Sequence, residues 1–145
     1  MKKIVIFIFI LFFSIEARCD SWMFWKDSKD GTGKFYRKDK FFKSGTGHDV
    51  FFQDTLLNFN QKQKVEVNGK LQIAQSIVFL DEISCSERSV TRSSGTVYSG
   101  EMGTGYELGQ IYIQSDQRRY VYSASDWEDK GFKKKFCKTT FEFFR

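Results

Sequence analysis

Apolar and polar residues alternate through residues 71–85, which is the clearest pattern in the chain. Odd positions carry most of the apolar side chains, namely Ile73, Ile77, Phe79, Ile83 and Cys85, and polar residues occupy several even positions, namely Gln72, Ser76, Glu82 and Ser84. Alternate residues of a β-strand share a face, so the pattern predicts one long strand with Cys85 on the core-facing side. Val78 and Leu80 interrupt the polar positions, which indicates that the second face is partly covered as well.

Six further segments are rich in Phe, Tyr, Val and Ile, the residues that suit a pleated surface. They span residues 22–26, 33–37, 49–58, 88–97, 108–114 and 119–123. Glycine-containing turns separate them, and the sharpest is Asn68-Gly69, with Val67 before it and Leu71 after it. This turn predicts a two-residue hairpin. Short strands joined by short connections predict an antiparallel sheet of about six to seven strands.

One helix is predicted near the C-terminus. Ser125 and Glu128 have the Ser-x-x-Glu spacing of a capping box. Phe132 and Phe136 lie four residues apart and would share a helical face, although Gly131 weakens the helix interior. The sequence therefore predicts an α+β fold: a single antiparallel sheet with a C-terminal helix that a disulfide tethers to the sheet.

The chain contains three cysteines, Cys19, Cys85 and Cys137. Cys85 and Cys137 form the predicted disulfide because both lie within the folded body, and closing this loop contributes about 4 kcal/mol in the chain-entropy account. Cys19 is left over. Charged Glu16 and Arg18 stand where lipoprotein signals carry an aliphatic and a small residue, so a free thiol or an intermolecular disulfide is favoured over lipid attachment.

The first 17 residues are predicted to be a secretory signal peptide. Lys2 and Lys3 precede an apolar run over residues 4–13, which is too short for a membrane span of about 20 residues. Cleavage after Ala17 leaves residues 18–145 as one domain without a second hydrophobic span. We therefore expect an exported protein, in the periplasm or at the bacterial outer surface, with no transmembrane span in the mature chain.

The charge balance argues against nucleic acid as a partner. The chain has 23 Lys and Arg residues against 18 Asp and Glu residues. Removing Lys2, Lys3 and Glu16 with the signal leaves 21 against 17, a net charge of +4. Because the charges interleave and the excess is small, a mixed solvated surface is expected and nucleic acid is a poor candidate.

Basic and aromatic residues mix within residues 34–43. The basic members form a candidate binding surface for an acidic macromolecule or a membrane, and they are Lys34, Arg37, Lys38, Lys40 and Lys43. The alternative is an ordinary strand with its aromatic residues inward and its lysines outward, and this interpretation is preferred because charge runs usually solvate a face.

Signals for an enzyme are sparse. His48 is the only histidine, and nothing pairs with it convincingly for a serine nucleophile or a zinc site. Gly100 and Gly105 have the first spacing of a P-loop, but Tyr106 and Glu107 stand where such a loop needs Lys and Ser or Thr. We therefore expect no catalytic, cofactor or metal site. A small hydrolase that depends on His48 is the enzymatic alternative.

A spaced set of residues in the C-terminal half forms a more specific pattern. Ser76 opens a strand, Cys85 follows, and the basic residues Arg88 and Arg92 come shortly after it. The next glycine-rich loop contains Tyr98, Ser99, Met102, Gly103 and Gly105. A last cysteine, Cys137, lies near the end. This pattern resembles the bacterial surface-adhesin protein E family, and the five loop residues carry its sharpest signature.

The resemblance extends more loosely to Trp22, to the aromatic pair Phe35-Tyr36 and to residues 50–52. The chain departs from the family where Ser84 replaces a frequent acidic residue and where proline is absent before the C-terminal helix. The resemblance implies an antiparallel sheet with a disulfide-linked C-terminal helix. It also implies that some members act as adhesins for host extracellular-matrix or plasma proteins.

The sequence thus predicts an exported, non-enzymatic binding protein whose partner is a host matrix or plasma protein. The alternative is a periplasmic accessory or inhibitor protein that binds another protein of the cell envelope. The oligomeric state is left open by the sequence, a dimer included.

Overall fold

The computed structural model describes residues 21–44, 49–123, 125 and 137, and its regular elements are mainly strands. The strands are β1 (Trp22–Asp27), β2 (Gly33–Lys43), β3 (Val50–Val67), β4 (Lys70–Ser84), β5 (Ser89–Tyr98), β6 (Glu107–Tyr112) and β7 (Arg119–Val121). Two three-residue 3-10 helices lie at Glu101–Gly103 and Ser115–Gln117. Within the described ranges no helix is long and apolar enough to cross a membrane.

The seven strands form one antiparallel sheet in the order β1-β2-β3-β4-β5-β6, with β7 also paired to β5. β6 pairs with the second half of β5, from Ser94 to Tyr98, and β7 pairs with its first residues, from Ser89 to Thr91. These two short strands therefore lie end to end along one side of β5. From β1 to β6 each strand pairs with the next one along the chain, as the short connections in the sequence predict, whereas β7 pairs with β5 and not with β6.

The predicted α+β class is wrong. Every helix or strand in residues 21–44 and 49–123 is a β-strand or a three-residue 3-10 helix, so the described fold is a single all-β sheet. The predicted tethered helix was to span residues 125–137, of which the structure describes only Ser125 and Cys137; the rest lies outside the described residues. A capping box and one aromatic pair are weak support, because helices shorter than about 12–15 residues are marginal on local signals alone.

Three other predictions concern residues outside the described part of the chain. They are the signal peptide over the first 17 residues, the fate of Cys19 and the hydrolase alternative that depends on His48. All three stay predictions.

β3 and β4 form a long hairpin whose tip bends over the sheet. Asn68 and Gly69 connect the two strands with φ values of 51° and 75°, the left-handed conformation that a two-residue hairpin turn requires, and this confirms the predicted turn. The register shifts between Asn58 and Gln63. Beyond this shift, Val67 packs so closely on β6 that a Cβ on Gly109 would lie 2.6 Å from its Cγ1.

One face of the sheet, the inner face, carries two hydrophobic clusters. The first comprises Phe51, Ile83, Val90 and Cys137, and the second comprises Phe59, Val67, Ala74, Ile77, Phe79 and Val97. Between the clusters, the cross-strand register places a polar row of Gln53, Asp81 and Arg92. The opposite, outer face carries Leu56 and Val78, which are paired across β3 and β4.

The disulfide between Cys85 and Cys137 is confirmed. Cys85 follows β4 directly, and its Cα lies 5.6 Å from that of Cys137, within the usual range for a disulfide. Cys137 is buried in the first inner cluster beside Ile83 and Val90. The bond therefore fixes residue 137 against the inner face of the sheet, across a sequence separation of 52 residues.

Candidate binding surfaces

The glycine-rich loop between β5 and β6 lies across the outer face of the hairpin. Met102 N donates to Asn58 Oδ1 at 2.8 Å, and Gly103 N donates to Ser76 Oγ at 3.0 Å. Ser76 Oγ donates in turn to Gly100 O at 2.6 Å. The loop's amide groups are thus directed into the sheet, where they anchor the loop. They are not arranged around a site for a phosphate group.

The backbone conformation and close packing of this loop explain why glycine and serine occur at its signature positions. Gly103 has a φ of 74°, and a Cβ at this position would lie 3.1 Å from Val78 Cγ2 and 3.4 Å from Leu56 Cδ1. Gly105 has a φ of 79°, and its Cβ would lie 2.6 Å from Ser99 Oγ. Ser99 Oγ accepts a hydrogen bond from Tyr106 N at 2.8 Å. Because glycine adopts positive φ without strain, these positions build a cover over the outer face.

The five basic residues of β2 do not share one face of the sheet. Register places Lys34 and Lys38 on the outer face, opposite Asn58 and Asp54, whereas Arg37 pairs with Thr55 on the inner face. Lys43 pairs with Phe51, also on the inner side. Lys40 falls within the register shift between Arg37 and Phe41. The candidate basic surface stays a prediction, and two of its members, Lys34 and Lys38, lie together on the outer face.

Large apolar side chains are exposed on the same outer face. The outer aromatic patch consists of Phe24, Tyr36, Phe42 and Leu80, from four positions in β1, β2 and β4. Phe24, Phe42 and Leu80 are 58%, 63% and 52% exposed, and the rings of Phe24 and Tyr36 pack edge to face with centroids 5.9 Å apart. An ion pair of 3.1 Å between Lys38 and Asp54 lies within the patch.

The polar row of the inner face holds a buried ion pair. Arg92 donates from Nε and Nη2 to the two carboxylate oxygens of Asp81, at 2.6 and 2.5 Å, and Thr55 Oγ1 donates to the same carboxylate at 2.7 Å. The guanidinium of Arg92 lies 4.3 Å from the ring centroid of Phe79 and 5.4 Å from that of Phe35. Asp81 is 3% exposed, so its charge depends on these partners.

A second arginine approaches this row from β2. Arg37 stacks on the Trp25 ring at 4.1 Å from its centroid. Burial lowers the pKa of Arg37 to about 10, although the charges of Tyr122 and Asp81 act in the opposite direction. Burial, reinforced by Asp81, raises the pKa of Tyr122. Two arginines and one aspartate are therefore gathered where water is partly excluded.

An open cavity of about 540 Å³ lies above this row. Its apolar walls include Trp25, Phe35, Leu57, Val90, Tyr120 and Tyr122. Asp81 and Arg92 also line it, together with Asp27 at the end of β1 and Lys29 from the β1–β2 connection. No group of three or more His, Cys, Asp or Glu residues in the described ranges is arranged to hold a metal ion.

The inner charged row was not predicted from the sequence, although the sequence contains a signal for it. Asp81 lies at an odd position of β4, in register with the apolar residues Phe79 and Ile83. A charged residue at a core position needs a partner of opposite charge. Arg92 supplies it from the neighbouring strand, but the register of β4 against β5 shifts between Phe79 and Asp81, and that shift is not visible in the sequence.

This chain is similar to known proteins in both sequence and fold. The surface-adhesin protein E family model matches residues 22–138. The structure of Haemophilus influenzae protein E matches with a TM-score of 0.52 and 12% identity, over 79% of this chain and 86% of that one. Its selenomethionine form matches with a TM-score of 0.51 and 12% identity, over 80% and 89%.

A search of curated proteins found no match. At 12% identity the two solved structures support the fold alone. The family model spans most of the chain, including the five signature residues of the β5–β6 loop and both cysteines of the disulfide. The chain belongs to the surface-adhesin protein E family.

Proposed function

We propose that this chain is an exported, non-enzymatic adhesin that binds a host extracellular-matrix or plasma protein through the outer aromatic patch. Family membership supports an adhesive role. We choose the outer face as the binding surface because Phe24, Phe42 and Leu80 are exposed there. Contiguous exposed apolar groups are uncommon on soluble proteins and often mark sites of interaction.

The composition of the patch suits a protein partner. Aromatic residues are enriched at the centres of protein interfaces, where their burial supplies most of the binding free energy. Phe24 and Tyr36 are already held edge to face, so less side-chain entropy is lost on binding. Lys34 and the ion pair of Lys38 with Asp54 provide polar groups next to the apolar side chains.

Binding can be tested with residues 18–145 as the purified mature protein. Surface plasmon resonance against a panel of immobilised extracellular-matrix and plasma proteins should identify at least one saturable partner. Substituting Phe24→Ser and Leu80→Ser together is expected to weaken this binding at least tenfold, because both side chains are exposed and their loss leaves the core intact.

A matched control is available at the tip of the β3–β4 hairpin. Leu71 is 69% exposed but lies away from the patch, so Leu71→Ser should leave the affinity unchanged. Equal losses in both variants, or no loss in either, would contradict the proposed surface.

The cellular location of the protein distinguishes the adhesin proposal from the alternative of a periplasmic accessory or inhibitor protein. Protease treatment of intact cells should remove the protein together with an outer-surface control. Full protection of the protein while that control is digested would overturn the adhesin proposal and favour a partner within the cell envelope.

A further inference from the structure

We propose that the arm of the β3–β4 hairpin, residues 61–74, is a second binding site that docks on an anionic phospholipid bilayer. The arm is the part of the hairpin at and beyond the register shift between Asn58 and Gln63. Its docking face joins two exposed aliphatic side chains, Leu71 and Ile73, to an excess of lysine. This proposal does not depend on the adhesive role of the outer aromatic patch.

The two sides of the arm differ in what they contact. Val67 and Ala74 are buried on one side, at 2% and 0% exposed, and Val67 packs on Gly109 of β6. Because alternate residues of a strand share a face, Leu71 and Ile73 lie on the other side, where they are 69% and 56% exposed. The packing of the arm onto the sheet thus leaves two large aliphatic side chains in water.

Lysine is in excess on the arm. Its charged residues are three lysines and one glutamate, a net charge of +2, and they are Lys62, Lys64, Lys70 and Glu66. Register pairs Lys64 with Ile73, so a cation and an aliphatic side chain are neighbours on the docking face, whereas Glu66 is paired with Leu71. All four charged side chains are exposed, and none of them forms an ion pair within the described residues. The positive charge is therefore available to an anionic surface.

The residue types of the arm favour a bilayer over a protein surface. Residues 61–74 contain no aromatic residue, whereas aromatic residues are enriched and lysine is depleted at protein interfaces. Leucine is also under-represented among the residues that dominate protein binding. On a bilayer the same types are favourable, because aliphatic side chains are buried at the acyl boundary while long lysine side chains keep their ammonium groups at the level of the phosphates.

The charge of the bilayer decides the affinity of the arm. Lysines next to an anionic membrane are attracted to it, and this attraction falls off within a Debye length. A neutral bilayer can bury Leu71 and Ile73 but does not attract the lysines. The arm thus selects a bilayer that contains anionic phospholipid.

Vesicle flotation of the mature protein, residues 18–145, tests the proposal. Vesicles of phosphatidylethanolamine and phosphatidylglycerol are anionic, and vesicles of phosphatidylethanolamine and phosphatidylcholine are the neutral control. We expect the apparent dissociation constant in lipid to be at least tenfold lower for the anionic vesicles. Raising the salt from about 0.1 M to about 1 M shortens the Debye length from about 10 Å to about 3 Å, so this preference should disappear.

Variants of the aliphatic residues assign the binding to the arm. Leu71→Ser with Ile73→Ser should weaken binding to anionic vesicles at least tenfold, because both side chains are exposed and the buried side of the arm is kept. The matched control is Tyr112→Ser with Val121→Ser, at residues 72% and 66% exposed on β6 and β7, and it should leave the affinity unchanged.

Charge variants test the lysines separately. Lys64→Gln with Lys70→Gln removes the net charge of +2 and should weaken binding to anionic vesicles about tenfold, while Glu66→Gln should strengthen it. Arg88→Gln with Arg119→Gln lowers the net charge of the chain by the same amount at exposed residues outside the arm, and should leave the affinity unchanged.

Three results would overturn the proposal: equal affinity for the two kinds of vesicle, no flotation with either, and losses in the control variants as large as those in the arm variants. The lipid comparison uses the unmodified protein, so it decides the question even if a variant fails to fold.

Other occupants of the arm give different results. A dimer in sedimentation velocity that Leu71→Ser with Ile73→Ser converts to a monomer would assign the arm to a second copy of the chain and overturn the proposal. Loss of matrix-protein affinity in Leu71→Ser would assign the arm to a protein partner, with the same consequence. Because adhesion is measured without lipid, with variants of Phe24 and Leu80, failure of one proposal is distinguishable from failure of the other.

Discussion

Leu80 and Asp81 are neighbours in β4 and lie on opposite faces of the sheet, yet the leucine is 52% exposed and the aspartate is 3% exposed. On the inner face, Arg92 and Thr55 satisfy the aspartate, which lies between the two hydrophobic clusters. On the outer face, the β5–β6 loop covers Leu56 but leaves Leu80 in the outer aromatic patch.

The usual places of charged and apolar residues are exchanged at these two positions, since Asp81 is buried and Leu80 is exposed. A buried charge and an exposed apolar group each cost free energy relative to the usual arrangement, and stability alone does not favour either. On the inner face the buried charge of Asp81 lies beside an open cavity, and on the outer face Phe24, Phe42 and Leu80 are exposed. The two faces therefore present different chemistry to solvent.

Breaking the inner ion pair should have the largest effect on stability. Arg92→Ala leaves the Asp81 carboxylate buried without its cation, which costs about 3–5 kcal/mol. Lys38→Ala, which breaks the outer ion pair with the more exposed Asp54, should cost less than about 1 kcal/mol. Urea unfolding of both variants measures the contrast, and similar losses would show that the two faces do not differ as described.

Local patterns predicted most of β4 and its surroundings. Alternation placed Ile77, Phe79 and Ile83 on one face, and Asn68-Gly69 identified the hairpin, because both signals depend only on neighbouring residues. The disulfide was also predictable. These features needed no knowledge of how distant strands align.

Features that depend on register were not predictable. The shift between Asn58 and Gln63 bends the hairpin tip onto β6. The shift within β2 sets a step of four residues in β2, from Arg37 to Phe41, against a step of two in β3, so the position of Lys40 against β3 does not follow from alternation. An extra residue in one strand leaves no fixed sequence signal, yet it turns all later side chains to the other face.

The anchor of the β5–β6 loop gives a second, intermediate test. Ser76 is fully buried and bonds both Gly100 O and Gly103 N, so Ser76→Ala leaves these groups without partners and should cost about 1–3 kcal/mol. Amide hydrogen exchange should become faster at Gly103, with little change in the inner clusters.

Ser93 offers the control for that substitution, because it is exposed and lies in the same sheet. Ser93→Ala should leave stability and exchange unchanged. Faster exchange throughout the inner face in Ser76→Ala would mean that the loop supports the whole sheet, and would remove the distinction between a covered outer face and an independent inner core.

The smallest effect is expected at the exposed turn between β1 and β2, where hydrogen bonds are the main influence on the charge of Asp30. Ser28 Oγ, Thr32 N and Thr32 Oγ1 all donate to Asp30, and the Ser28 bond contributes most to lowering its pKa from 3.8 to about 2. A lowered folded-state pKa stabilises the fold above pH 3.8, and this contribution disappears as the pH falls through about 2. NMR titration of the Asp30 carboxyl should report the low pKa, and Ser28→Ala should raise it. An unchanged pKa in Ser28→Ala would contradict the hydrogen-bond explanation, because desolvation acts in the opposite direction and raises the pKa of an aspartate.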